Sequence, residues 1–202
     1  MTSPSPVDLC SSPTLEAPQP KTWTVLEYHR LSELGLLEHH DRTELMEGQI
    51  ILMAAKGTAH VTTLRLLAIV LGESLKDKPV FVATQDPIQL DDRSEPEPDL
   101  VVVRGTALDY RSQHPQPADL YLVVEVADST LTYDCGQKAR LYAQAGITDY
   151  WVADVQNQRL HIFRNPTPAG YSHHLILTQP QGAALLAFPA CRINLHEIFP
   201  SS

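Results

Sequence analysis

Two carboxylates set against runs of valine and leucine constrain this chain more than any other feature. Asp99 opens Pro98-Asp99-Leu100-Val101-Val102-Val103, and Glu125 lies inside Leu120-Tyr121-Leu122-Val123-Val124-Glu125-Val126. Short, continuous, valine-rich runs of this kind read as strands covered on both faces of a sheet. An ionised acid there is strongly unfavourable unless a cation or several donors compensate it. The chain therefore has to bring positive charge or donors to two definite points on its central strands. Lys138, on the next helical segment, is one source of that charge.

The pattern around these strands gives an α/β order. Pro4, Pro6, Pro13, Pro18 and Pro20 lie amid serine and threonine, a composition that buries little, so residues 1–21 are expected to form a flexible tail and residues 22–202 the folded domain. Thr24 and Glu27 have capping-box spacing, with Leu26, Leu31, Leu34 and Leu37 as expected core contacts. Residues 43–53 read as two short strands turning at Glu47-Gly48. Val61, Leu64, Leu67, Ala68, Leu71 and Leu75 make one apolar stripe over 58–76. A strand follows over 80–84, with Pro87 to Leu90 as its continuation. Residues 91–98 form an acidic, proline-bearing loop. After the two central strands come a helix from Asp134 to Ala145 closed by Gly146, then a hairpin of Tyr150–Val155 and Arg159–Phe163. Strand, helix, strand from Tyr121 to Val155 implies a parallel crossover. Leu175–Leu177, Leu185–Phe188 and Ile193–Ile198 read as edge strands and a terminal turn.

Composition narrows the functional classes. A length of 202 residues with 43% hydrophobic and 19% charged residues suits one domain with a real core. No apolar run is long enough to span a bilayer, and the N-terminus lacks the pattern of a signal peptide. Three dispersed cysteines (Cys10, Cys135 and Cys191) fit a reducing cytoplasm better than a disulfide framework. The net charge of −9 argues against a broad basic surface for nucleic acid, although a site built from acids needs none. His39-His40 and His173-His174 are adjacent pairs whose rings diverge, and no paired His or Cys spacing supports zinc. The Gly-x-Ser-x-Gly elbow, the Gly-Lys phosphate loop and the Gly-x-Gly-x-x-Gly turn are all missing.

Acid, acid and lysine around a sheet is what metal-assisted phosphodiester hydrolysis requires. A cation polarises the phosphoryl group, and a second positive group stabilises the transition state. If the central strands pair antiparallel with Asp99 opposite Glu125, the side chains stand roughly 5 Å apart at Cβ and can share Mg²⁺, with the Val126 carbonyl as third ligand. A nuclease that places its lysine two residues after the glutamate needs it at position 127, on the same face. That residue is Ala127, which leaves room for Lys138 to reach over from the helix. Asp134, Lys138 and Tyr142 share a helical face, so a plain Asp134–Lys138 ion pair is the competing expectation. Asp99 also reads as a strand-start residue, and Glu125 as a structural acid. Glu44 can pair with Arg42 or Lys56. His60, in the first turn of the long helix, is expected to be a hydrogen-bonded structural histidine.

Several blocks in fixed order carry a resemblance: Glu44-Leu45-Met46-Glu47-Gly48, Pro98-Asp99, Val124-Glu125-Val126-Ala127-Asp128-Ser129, Asp134-Cys135-Gly136-Gln137-Lys138-Ala139-Arg140-Leu141-Tyr142, and Ala145-Gly146-Ile147-Thr148-Asp149-Tyr150-Trp151-Val152. Over residues 23 to 165 the chain resembles a multi-copy bacterial family of restriction-endonuclease-like proteins (Uma-type) within the PD-(D/E)XK nuclease superfamily. The resemblance implies a restriction-endonuclease-like α/β fold with a central mixed sheet flanked by helices. It implies an endonuclease acting on DNA with Mg²⁺ or Mn²⁺ at Asp99 and Glu125. The lysine is then moved to Lys138, Glu44 is an assisting acid, and a homodimer cuts the two strands. Departures are Ala54-Ala55-Lys56-Gly57-Thr58-Ala59-His60 where a serine-proline is usual before the histidine, Ala127-Asp128 where leucine-serine is usual, and Thr130 for a proline. Asp128 adds negative charge. The competing class is a non-catalytic DNA-binding or protein-interaction module on the same fold, and a third reading is a hydrolase of RNA or another phosphoester.

Overall fold

A computed structural model describes residues 19–37 and 42–199. Most of the expected tail, Cys10 and the His39-His40 pair lie outside the described residues. The first helix, α1 (Val25–Glu33), starts at the expected box: the Glu27 amide donates to Thr24 Oγ1 at 3.2 Å, and the Thr24 amide donates to Glu27 Oε2 at 2.9 Å. Its core contacts differ from expectation. Leu26 is 81% and Leu34 57% exposed, and Val25 is the helix's buried residue. Leucine spacing marks a face but does not supply a surface for it to cover.

Strands β1 (Thr43–Met46) and β2 (Gln49–Leu52) form the expected hairpin. Glu47 and Gly48 both have positive φ, of 50° and 77°, and a Cβ at Gly48 would stand 2.8 Å from Thr22 Cβ. A close two-residue turn with this backbone favours glycine. Helix α2 (Thr58–Leu75) follows, burying Leu64, Leu67, Leu71 and Leu75 as the stripe foretold. Val61 and Ala68 are only half-buried.

The central sheet contains β3 (Val80–Thr84), β4 (Leu100–Arg104), β5 (Leu120–Ala127), β6 (Asp149–Asp154), β7 (Arg159–Thr167) and β8 (Gly170–Thr178), hydrogen-bonded in that order. It is mixed: β5 and β6 run parallel, and the other neighbours antiparallel. The parallel pair is the crossover expected from strand–helix–strand order. Pro87–Leu90 does not extend β3; Ile88 instead packs as a buried loop residue. Leu185–Phe188 is likewise irregular, between the short strands β9 (Gly182–Ala184) and β10 (Arg192–Asn194), which are followed by the short helix α5 (Leu195–Ile198). No helix among the described residues is long and apolar enough to cross a membrane.

The crossover helix begins earlier than expected and is not regular. It comprises α3 (Leu131–Tyr133), a π turn (Asp134–Lys138) and α4 (Ala139–Gln144), and ends at Gly146 with φ 81°. A single π turn inserts one residue into the helical ladder and resets which side chains share a face.

Alternation along the strands divides the core in two. Leu100, Val102, Leu122, Val124 and Val126 face α2 and α5, while Val101, Val103, Val123 and Ala127 face Ala139, Tyr142 and Tyr150. Leu71, fully buried in the first layer, is expected to cost about 2–5 kcal/mol when changed to Ala, read as a fall in the urea midpoint. Asp149 shows how a fully buried acid is satisfied structurally. It accepts from Arg164 Nε at 2.8 Å, Trp151 Nε1 at 2.9 Å and the Leu186 amide at 2.8 Å. Asp149→Ala leaves the Arg164 guanidinium without its partner, so a loss of about 3–5 kcal/mol is expected by chemical denaturation.

Candidate metal and catalytic centre

Strand pairing delivers the two acids to one place. The β4–β5 register matches Leu100 with Val124, so one more step sets Asp99 opposite Glu125. By alternation Asp99 falls with Val101 and Glu125 with Val123 and Ala127, on the face covered by the crossover helix. The backbone locks this arrangement: the Val126 amide donates to Asp99 Oδ2 at 2.9 Å, and the Asp99 amide is 3.4 Å from Glu125 Oε2. Both acids are almost fully buried as residues yet line a cleft of about 300 Å³, roofed by β2 and residues 53–57 and walled by α3 and the π turn.

Lysines answer the two acids separately. Lys138 Nζ lies 3.0 Å from Glu125 Oε1 and 3.3 Å from Glu44 Oε2. It does not pair with Asp134, whose carboxylate takes the Thr130 hydroxyl, so the expected helical ion pair is replaced. The π turn supplies the reason, since it shifts Lys138 relative to the residue four before it. Tyr142 adds a second donor to Glu125 Oε1 at 2.8 Å. Glu44 pairs with neither Arg42 nor Lys56. It accepts the Glu97 amide at 3.2 Å, while Arg42 pairs with Glu97.

Sequence reasoning missed the groups that hold Asp99. Lys56 Nζ is 2.8 Å and His60 Nε2 3.0 Å from Asp99 Oδ1. His60 is thus the hydrogen-bonded histidine expected, but its partner is a residue of the cleft. His60 sits in the first turn of α2, but Lys56 lies in the loop before the Gly57 cap, so no helical spacing marked the two as partners.

These contacts separate the two acids electrostatically. Burial raises Asp99, but the His60 hydrogen bond and charge, then Lys56, outweigh it and hold the carboxyl at about 2. Burial pushes Glu125 up to about 8; Lys138 opposes this, and Asp99, Asp134 and Glu44 reinforce it. Burial alone would lower Lys138, yet Glu125, Glu44 and Asp134 raise it overall, so it stays an ammonium. Asp134 is also raised, first by burial.

The signs give a stability test. Asp99, depressed, contributes stability above its unfolded value of 3.8 that is lost as pH falls toward 2. Glu125 is raised, so its ionisation destabilises the fold progressively from 4.5 to about 8. In chelator, the unfolding free energy is expected to fall by a few kcal/mol more between pH 5 and 8 in the wild type than in Glu125→Gln. Urea titrations at three pH values read this difference; parallel curves would refute it.

The donor set is that of a hard cation. Five acids (Glu44, Asp99, Glu125, Asp128 and Asp134) line the cleft against two lysines, Lys56 and Lys138. Excess negative charge and oxygen donors fit Mg²⁺ or Mn²⁺ better than a soft ion.

A mixed six-stranded sheet flanked by helices, with acids at the end of its central strands, defines a protein of the restriction-endonuclease-like class. The chain belongs to the Uma2 family, described as "Putative restriction endonuclease", whose model matches residues 25–196. A solved structure from Anabaena variabilis ATCC 29413, described as a putative nuclease belonging to DUF820, has the same fold. It superposes with a TM-score of 0.62 at 15% identity, covering 89% of this chain and 98% of that one. No curated protein sequence matches the chain.

Proposed function

We propose that the protein is a metal-dependent endonuclease that hydrolyses DNA phosphodiester bonds in this cleft. The observation that carries the reading is the convergence of Asp99 and Glu125 on one sheet face, with Lys138 bridging Glu125 to Glu44. Asp99, Glu125 and the Val126 carbonyl hold Mg²⁺ or Mn²⁺. The Val126 amide points at Asp99, and in an extended strand the carbonyl of the same residue projects to the same edge. Bound there, the ion supplies Lewis-acid polarisation of the phosphoryl group and an acidified water.

The chain's own groups do the rest. Lys138, held as an ammonium, is a poor proton acceptor. Its role is to orient the attacking water and offset charge on the phosphate. Glu44 fixes that ammonium, and Tyr142 and Lys138 together orient the Glu125 carboxylate. Lys56 and His60 keep Asp99 ionised before the cation arrives. A single centre cuts one strand, so double-strand cleavage follows from a homodimer on DNA. The Cys135 and Cys191 thiols are free, in keeping with a cytoplasmic setting.

The net charge of −9 favours a second reading, a non-catalytic module on the same fold. Plasmid nicking with Mg²⁺ or Mn²⁺ separates the two: cleavage that needs metal and Asp99 supports the enzyme, and its absence in both ions supports the module. RNA offered in parallel decides the substrate. Asp99→Asn is expected to weaken Mn²⁺ binding by at least about tenfold in calorimetry, and unchanged affinity would remove Asp99 from the metal set.

A further inference from the structure

A second constellation lies outside the cleft. His29 on α1, Glu95 in the loop before β4 and His114 in the segment before β5 each present one ligand atom within 4.8 Å of the other two. Among the described residues this is the one such trio of His, Cys, Asp or Glu. Glu95 is 4% exposed and fixed by backbone exchange with Leu45, at 2.8 and 3.3 Å. Its Oε1 lies 2.6 Å from His29 Nε2, and the His114 ring stands edge-on to His29 with centroids 6.3 Å apart.

Glu95 Oε2 is shielded from solvent and has no hydrogen-bond partner. A carboxylate oxygen in that state is costly, and native structures seldom leave one so. Here it belongs to the one carboxylate on which two imidazoles converge.

We propose that His29, Glu95 and His114 form a binding site for a divalent transition-metal ion of the Zn²⁺ class. Two imidazoles and one carboxylate with an open fourth position are an established zinc donor set, and imidazole discriminates against Mg²⁺ and Ca²⁺. Two ligands of one zinc ion stand roughly 3.3 Å apart at Zn–N and Zn–O lengths near 2.1 Å, so the trio closes on an ion by small side-chain rotations. The consequence is mechanical. Helix α1 buries only Val25 and, besides the His29–Glu95 contact, is held by the Val25 amide on Asp92 O and the Tyr28 hydroxyl on Thr43 O. The ion ties this helix to the 91–98 loop, whose Glu97 amide supports Glu44 in the cleft.

The test titrates Co²⁺ into the chelator-treated full chain in the presence of excess Mg²⁺. The variants compared are wild type, His29→Ala, His114→Ala and Glu125→Gln. One equivalent of Co²⁺ is expected to produce visible d–d absorption in wild type and Glu125→Gln, removed by adding Zn²⁺. Each histidine variant is expected to bind more than about a hundredfold more weakly, beyond the loss usual for outer-shell partners. Zn²⁺ at a hundredfold excess over Kd should raise the wild-type Tm by about 5–10 °C and leave His114→Ala unmoved. Failure of wild type to bind at millimolar Co²⁺ overturns the site. So does binding that survives both histidine substitutions, or binding lost in Glu125→Gln alone.

Discussion

Glu125→Gln is expected to lower Mg²⁺-dependent plasmid nicking by at least about a thousandfold, equivalent to roughly 4 kcal/mol of transition-state stabilisation. The amide keeps the shape and one acceptor oxygen, so the Lys138 and Tyr142 hydrogen bonds to position 125 persist. It cannot carry the charge that a hard cation requires. The same change removes an acid whose ionisation burial opposes up to about pH 8. The variant should therefore be no less stable than wild type at pH 8 in chelator. Lost cleavage with retained or increased stability separates a catalytic role from a structural one. Equal nicking by both proteins, or nicking that ignores metal, would reject the assignment.

Lys138→Met should act on both stability and rate. It removes the cation within pairing distance of Glu125 and Glu44 and leaves two buried acids facing each other. Breaking a buried ion pair from one side costs about 3–5 kcal/mol. Glu125 can take a proton at neutral pH, which brings the expected loss toward the lower end of that range, about 3 kcal/mol by urea. Loss of the water-orienting ammonium is expected to slow nicking by at least about a hundredfold. Lys138→Arg keeps the charge and should recover most of the stability. Its planar fork does not reproduce the ammonium's position, so the rate should stay low. A Met variant with wild-type urea midpoint and wild-type nicking would show that this lysine serves neither the fold nor the cleavage.

The same two residues illustrate how far local patterning reaches. Valine runs announce β4 and β5 because strands covered on both faces have few alternatives, and an acid inside such a run is conspicuous. Antiparallel pairing of the two was a condition of that reading, and the Leu100–Val124 register meets it. The partners of the acids were far less legible. Lys56 reaches Asp99 from a loop, whose path no periodicity encodes, and Lys138 reaches Glu125 through a π turn that nothing in Asp134-Cys135-Gly136-Gln137-Lys138 announces. Helix α1 failed differently. Leu34 and Leu37 fall beyond its last residue, Glu33, and Leu26 is exposed, because where a helix ends and which face is covered depend on elements far along the chain. The trio at His29, Glu95 and His114 was invisible for the same reason, with 66 residues separating its first two members.

By itself the sequence determined most of the strands and helices, though not Pro87–Leu90, Leu185–Phe188 or the π turn, and where charge is trapped among apolar residues, because those follow from side-chain period and burial cost within a few consecutive residues. Only the tertiary structure decided which cation faces which acid, that Asp99 is held ionised while Glu125 is pushed up, and that two histidines meet at Glu95. Those outcomes rest on distances between residues remote in the chain, and electrostatic energy depends on such distances rather than on sequence separation.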